Sequence, residues 1–194
     1  MSDTKEKPVK IIAFVGLAGS GKSEAVHYVS DKGIPKVYFG GVVLDAMTEA
    51  GLDHTKENEQ RFREELRERE GKDFVVNRII TQIQGLVDAG QRRIVADGLY
   101  TWTEYKALKH AFPGDLTVIA IVAPRQLRHR RLTTRPVRPL TVDEATSRDW
   151  AEIENLEKGG PIAIADYFIQ NNHDLDTLHE RIDAVLDEIR FVEP

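Results

Sequence analysis

The sequence contains no cysteine, which excludes disulfide bonds, thiolate nucleophiles and zinc–thiolate centres. Aromatic residues make up only 7% of the chain, and its apolar runs are far shorter than the roughly 20 residues that cross a bilayer. The segment before Val9 is polar, carries both signs of charge and lacks the apolar core of a signal peptide. We therefore predict no membrane contact, a cytoplasmic location and a disordered leader over residues 1–9.

An excess of positive charge is missing as well. Lys and Arg total 27 against 32 Asp and Glu, which gives a formal net charge of −5. This balance provides no general attraction for nucleic acid, so the predicted partners are small molecules. At 194 residues the chain is expected to form a single domain over residues 10–194. A monomer and a homo-oligomer both stay open.

A phosphate-binding motif stands near the start of the chain. The segment from Gly16 to Ser23 fits the pattern G-x-x-x-x-G-K-[ST], in which glycines let backbone N–H groups approach an anion closely. Lys22 adds a charge for the terminal phosphates, and Ser23 offers a hydroxyl to Mg²⁺. An ordinary glycine-rich turn is the alternative, but the apolar run before the motif and the apolar periodicity after it favour a nucleotide site. The predicted phosphate-binding residues are Gly16, Ala18, Gly19, Ser20, Gly21, Lys22 and Ser23.

Apolar segments alternate with helical patterns along the rest of the chain. The predicted strands are 10–15, 36–39, 93–97, 116–122 and 163–170, and the main helices are 22–30, 42–50, 55–69, 73–89, 103–112, 125–135 and 175–186. Such alternation is typical of an α/β fold with a parallel sheet and right-handed crossovers. We therefore predict the three-layer α/β/α fold of P-loop NTPases with a five-stranded parallel sheet. Inserted helices over about 42–89 are expected to form an acceptor region, and residues 131–150 a short arginine-rich lid.

Asp97 ends the third apolar strand. A hydrophobic strand that ends in an acid, in a chain with a phosphate loop, is typical of a Walker B carboxylate that holds Mg²⁺ directly or through water. A turn or helix-capping role before Gly98 is the alternative. Ser23 and Asp97 are the predicted metal-binding residues.

Arginines are concentrated after the fourth strand. Arg131 and Arg135 lie four residues apart, so on one helix they would share a face and could reach one phosphate chain, which suits phosphoryl transfer. Arg138 and Arg148 are the next candidates. Arg125, Arg128 and Arg130 are expected to be solvated, and a fully solvated charged face is the alternative for the whole run.

Two amides, Asn171 and Asn172, follow the last predicted strand. An amide can donate to and accept from a base edge at once, which predicts a contact with a nucleotide base. A turn with Asn172 in the left-handed region is the alternative.

The chain resembles dephospho-CoA kinase and its relatives among nucleoside-monophosphate-kinase-like P-loop proteins. The resemblance lies in the order of four features along the chain, which are the phosphate-binding motif, the strand that ends at Asp97, the arginines from 131 to 135 and the Asn171-Asn172 pair. A dephospho-CoA-kinase-related group is more similar still, through a series of short matches. They are Val42-Val43, Gly51-Leu52, Thr55, Glu57-Asn58, Arg67, Gly71-Lys72, Arg148-Asp149 and Ala165-Asp166-Tyr167. The resemblance implies ATP phosphates on residues 16–23, Mg²⁺ near Ser23, Arg131 and Arg135 in a mobile lid, and adenine near Asn171 and Asn172.

One departure concerns the acceptor. Relatives tend to carry an acid and then an arginine after the second strand, whereas this chain has Gly41 and Leu44, with Asp45 one position further. Other acceptor contacts could come from the following residues: Arg63, Arg67, Arg78, Tyr100 and Trp102. Each of these is also a candidate for a plain surface or packing role.

We predict an ATP-dependent small-molecule kinase in which Lys22, Asp97, Arg131 and Arg135 act on the γ-phosphoryl group. The predicted acceptor is a nucleotide or a nucleoside-like molecule. A nucleotide-binding regulator, or a slow ATPase without a small acceptor, is the alternative. A GTPase is disfavoured because the chain has no Asn-Lys-x-Asp motif.

Overall fold

Five parallel strands form one sheet in the order β2-β3-β1-β4-β5 in the computed structural model, which describes residues 8–192. The strands are β1 Lys10–Val15, β2 Lys36–Tyr38, β3 Arg93–Asp97, β4 Leu116–Val122 and β5 Tyr167–Gln170. The central strand β1 pairs with β3 on one side and β4 on the other, with Ala13 opposite both Ala96 and Val118. Residues 1–7 of the predicted leader lie outside the described residues.

Helices cover both faces of this sheet. Their bounds are α1 Lys22–Ser30, α2 Val42–Glu49, α3 Lys56–Glu70, α4 Phe74–Asp88, α5 Trp102–Ala111, α6 Arg125–Thr134, α7 Val142–Glu154, α8 Gly159–Ala163 and α9 Leu175–Glu188. Side chains of a strand alternate between faces, so Ile11 and Ala13 join a core with α2, α4 and α5, whereas Ile12 and Phe14 join one with α1 and α9. The predicted three-layer α/β/α fold is therefore confirmed.

Two predicted boundaries were wrong. The last strand begins at Tyr167 rather than at 163, because Gly159–Ala163 forms the short helix α8, in whose first turn Pro161 needs no N–H partner. The basic helix ends at Thr134, and Arg135 is extended with φ −63° and ψ 144°. The cause is Pro136, whose ring disfavours the helical conformation for the preceding residue.

The carboxyl ends of the strands converge on one edge of the sheet. The phosphate-loop motif follows β1, Asp97 ends β3, α6 follows β4, and Asn171 comes directly after β5. Ligands of open α/β sheets bind outside these ends. Over residues 8–192, the helices are all too short or too polar to span a bilayer.

Candidate functional site

The phosphate loop requires glycine at positions where the protein packs closely behind it. Gly19 and Gly21 have φ values of 77° and 99°, a region that favours glycine. A Cβ on Gly19 would lie 2.6 Å from the carbonyl oxygen of Arg128, and one on Gly21 would lie 2.2 Å from Nδ2 of Asn171. The glycines therefore serve the packing of the loop as well as the approach of an anion.

Two side chains hold the carbonyl groups of the loop. Asn171 is buried, and its Nδ2 donates to the Ser20 carbonyl at 2.8 Å. Arg131 donates through Nη1 to the carbonyls of Gly19, at 3.3 Å, and Ser20, at 3.5 Å, and through Nη2 to Oδ1 of Asn171 at 3.4 Å. Burial and nearby Arg130 lower the pKa of Arg131 from its usual value. These contacts hold the loop from the side of its carbonyl oxygens.

Arg128 anchors the loop from a third direction, and the prediction that it is solvated was wrong. The residue is 6% exposed, and its Nη1 donates to the Ala18 carbonyl at 3.0 Å. Nη1 and Nη2 of Arg128 also donate to the two carboxylate oxygens of Asp149 on α7, at 2.6 and 2.8 Å. Nε2 of His129 lies 2.9 Å from Oδ2 of the same carboxylate. Burial raises the pKa of Asp149, but the bonds from Arg128 and His129 outweigh it, and the net pKa is lowered.

Lys22 and Asp97 meet beside the loop. Nζ of Lys22 lies 2.9 Å from Oδ1 of Asp97, and Nζ of Lys36 lies 3.9 Å from Oδ2. The ring of Tyr100 has its centroid 5.5 Å from the Lys22 nitrogen. Burial, with a smaller contribution from Asp97, raises the pKa of the Tyr100 hydroxyl to about 12, so it stays protonated.

A buried carboxylate on α7 is the part of the site that sequence reasoning missed. Glu152 is 4% exposed, and its Oε2 accepts the Ala18 N–H of the loop at 2.9 Å. Its Oε1 lies 2.9 Å from Nζ of Lys158 and 3.2 Å from Nε of Arg148. Lys158 stands 4.4 Å from the Tyr100 ring centroid, and burial lowers its pKa against the opposing effect of Glu152. The Arg148–Glu152 spacing of four was a weak signal of this cluster.

Three neighbouring cavities open around these groups. The loop cavity, of about 350 Å³, is lined by residues 16–24 together with Tyr100, Arg131, Leu132, Arg135, Arg148, Glu152 and Lys158. A second cavity of about 340 Å³ shares Gly21, Glu24 and Arg131 with it and adds Asn171, His173, Asp174 and Leu175. A third, of about 370 Å³, shares Tyr100 with the loop cavity and extends to α3 and α4.

The predicted site residues are distributed unevenly among these cavities. Arg131 and Arg135 both line the loop cavity, although Arg135 lies beyond the helix end and donates through Nε to the Arg138 carbonyl at 2.7 Å. Asn171 lines the second cavity, but its amide contacts Ser20 and Arg131. Asn172 is exposed. The adenine contact of these amides stays a prediction.

The departure in the acceptor region leaves no acid in the corresponding place. Gly41 is buried, and Leu44 packs against the core that contains α2 and α4. Asp45 is exposed, and among the described lining residues of the three cavities it does not occur. The polar side chains that line the third cavity therefore come from elements other than α2.

Comparison with known proteins identifies the family. A family model described as an AAA domain matches residues 12–155. UPF0200 protein TK1334 of Thermococcus kodakarensis is 31% identical over 182 residues, which cover 92% of this chain and 97% of the relative. The chain belongs to the UPF0200 family. This confirms a P-loop kinase-like domain for the UPF0200 chain and leaves the narrower relationship to dephospho-CoA kinase a prediction.

Solved structures agree with this UPF0200 assignment at the level of fold. Shikimate kinase from Bacteroides thetaiotaomicron superposes with a TM-score of 0.56 at 11% identity, covering 93% of this chain and 98% of that one. Dephospho-CoA kinase from Campylobacter jejuni gives a TM-score of 0.53 at 18% identity, covering 92% and 97%. The UPF0200 chain therefore has a P-loop kinase-like fold.

Proposed function

We propose that this chain is a phosphotransferase that moves the γ-phosphoryl group of MgATP to a small acceptor molecule. The observation that carries the proposal is the loop cavity, which is lined by five cations, one from the phosphate loop and four from outside it. They are Lys22, Arg131, Arg135, Arg148 and Lys158. Cations that converge on one cavity can neutralise the charge that spreads over a transferring phosphoryl group.

In the proposed reaction an acceptor oxygen forms a bond to the γ-phosphorus while the bond to the β–γ bridging oxygen breaks. ADP leaves, and the proton of the acceptor hydroxyl passes to water. Lys22 and the lid cations Arg131 and Arg135 bind the phosphate chain, whereas Lys158 and Arg148, held by Glu152, stand on the α7 side of the same cavity. Positioning and charge neutralisation supply the rate, so no covalent intermediate is needed.

The oxygen donors of Ser23 and Asp97 fit Mg²⁺, a hard cation that binds through one or two protein oxygens together with phosphate oxygens. Ser23 is exposed at the start of α1, and among residues 8–192 the ion-pair partner of Asp97 Oδ2 is Nζ of Lys36 at 3.9 Å. Over residues 8–192, no cluster of three or more His, Cys, Asp or Glu side chains could hold a metal alone. Bound Mg²⁺ would neutralise phosphate charge beside Lys22.

The adenine base fits the second cavity, which lies beyond Gly21 and Arg131 on the side of β5. Asn171 would support this base site by holding Arg131 and the loop, because its Nδ2 donates to the Ser20 carbonyl and its Oδ1 accepts from Arg131.

The decisive test is the variant Lys22→Ala, assayed by acceptor-dependent ADP formation. We expect turnover to fall by a factor on the order of 100 or more, because the variant loses the charge on the terminal phosphates. Lys106→Ala, an exposed lysine on α5, is the matched control and should retain activity. Near-normal turnover in Lys22→Ala would overturn the proposal. Phosphate release that no acceptor stimulates would instead support the slow ATPase or regulator.

A further inference from the structure

The third cavity is a second binding chamber beside the loop cavity. At about 370 Å³ it falls within the range of small-molecule sites, and Tyr100 forms part of both walls. Phe39, Val43, Phe74 and Val76 supply apolar lining. A molecule seated here could place one end against the loop cavity and its other end against α3 and α4.

One of the four arginines of α3, Arg67, differs from the others in its ion pairing and lines this chamber. The other three each form an ion pair with a glutamate. The distances are 3.7 Å from Arg61 Nε to Glu65 Oε1, 2.6 Å from Arg63 Nη2 to Glu59 Oε1 and 2.7 Å from Arg69 Nη2 to Glu70 Oε1. Arg67, on the same helix, has no ion-pair or hydrogen-bond partner for its side chain within the described part of the chain, and it lines the cavity. A helix that neutralises its other arginines thus presents this one to the chamber.

Lys72, in the turn between α3 and α4, lines the same cavity and is likewise without an ion-pair partner among residues 8–192. Arg63 contributes a third cation, shared with Glu59. Two cations that line one cavity and lack ion-pair partners among the described residues could bind an anion, bidentately by the guanidinium and by charge at the ammonium.

The cavity also contains acids, and they differ in availability. Glu104 accepts the backbone N–H groups of Tyr100 and Thr101 at 2.9 Å each and is occupied by this capping role. Asp73 precedes the first residue of α4, where the positive end of the helix dipole offsets its charge. Glu157 comes from the turn between α7 and α8. The α3 side of the chamber therefore keeps its cationic character.

We propose that this chamber binds the anionic group of the acceptor, a phosphate ester or a carboxylate, through Arg67 and Lys72. The proposal rests on the phosphotransferase function and specifies its acceptor as an anion-bearing small molecule. The acceptor hydroxyl then lies towards Tyr100 and the loop cavity.

The test uses pairs of probes that differ only in the anion, measured on the full-length protein. Binding of ribose against ribose 5-phosphate, adenosine against adenosine monophosphate, and glucose against glucuronate is measured by calorimetry with the loop saturated by Mg²⁺ and AMP-PNP. The phosphate pairs and the carboxylate pair distinguish the two anion types. We expect saturable binding of an anionic member and none of its neutral partner. Acceptor-dependent ADP formation is measured on the same pairs with ATP.

The matched variants are Arg67→Ala, Arg67→Lys and Arg61→Ala, all at exposed positions of α3. Arg67→Ala should weaken the anionic probe about tenfold or more, since a charge-assisted hydrogen bond contributes more than the 1.4 kcal/mol that tenfold represents. The affinity of Arg67→Lys for the anionic probe should lie between those of Arg67→Ala and the unaltered chain. The affinity of Arg61→Ala should equal that of the unaltered chain. AMP-PNP affinity should not change in any of them.

Equal binding of neutral and anionic members, or unchanged anion binding in Arg67→Ala, would overturn the anion proposal. Binding of AMP-PNP without binding of any anionic probe would overturn it while the phosphotransferase proposal stands. Arg67-dependent anion binding without binding of AMP-PNP would overturn the phosphotransferase proposal while the anion site stands.

Discussion

Glu152 connects the phosphate loop with two cations of the same cavity. Its carboxylate accepts the Ala18 N–H and also contacts Lys158 and Arg148. The charge of a buried carboxylate opposes the binding of a triphosphate, whereas its hydrogen bonds hold the cations in one arrangement. The two effects act on different kinetic constants.

For Glu152→Gln we therefore expect kcat to fall about tenfold or more while KM for ATP does not rise. The amide removes the negative charge from the phosphate site but no longer orders Lys158 and Arg148. Steady-state kinetics in ATP measures both constants. Glu154→Gln, an exposed acid on the same helix, is the control. An increase in KM for ATP with unchanged kcat would contradict the ordering role.

At the scale of elements, α6 and α7 are joined through a buried ion pair rather than by the turn between them alone. Arg128 and Asp149 make two hydrogen bonds with side chains that are 7% and 11% exposed. Removing one member of such a pair leaves the other charge buried without compensation, which costs more than the pair contributes.

We expect Asp149→Asn to lower the free energy of unfolding by about 3 kcal/mol near neutral pH. Because the folded-state pKa of Asp149 is lowered from its usual 3.8, its contribution is complete above that value and is lost as the pH falls through the folded-state pKa. Urea unfolding of the unaltered chain and of Asp149→Asn, at neutral pH and at a series of lower pH values, measures the difference in the free energy of unfolding. This difference should become smaller as the pH falls. Asp143→Asn, on the exposed side of α7, should show little effect, and a pH-independent difference would contradict the linkage.

At the scale of the whole molecule, the sequence predicted the sheet, the loop and Asp97 because their signals are local. β4 is an uninterrupted run in which five of seven residues are β-branched, and the loop has a fixed motif of eight positions. Glu152 and Lys158 could not be found in the same way, because Glu152 meets an amide 134 residues away. Arg128 was misjudged for the same reason, since only the packing of α6 against α7 and the loop shows which arginine is buried.

Nucleotide binding should stabilise the whole domain. At a free concentration 100 times its Kd, MgATP should add about 2.7 kcal/mol to the free energy of unfolding. For a domain of this size that corresponds to a rise in Tm of roughly 5–10 °C. Thermal scans with and without MgATP measure the shift, which Lys22→Ala should reduce. Equal shifts in both proteins would show that Lys22 does not contact the bound nucleotide.

The loop carbonyls of Ala18, Gly19 and Ser20 all accept hydrogen bonds from side chains of other elements. A loop held in this way has already lost the conformational entropy that a free glycine-rich segment would lose on binding. Calorimetry of MgATP binding should accordingly show a small entropic penalty, and the association rate should depend on salt more than on loop ordering. On the proposed function, the side chains behind the loop would set how fast and how tightly it captures phosphate, although all four of these hydrogen bonds are made to the loop itself.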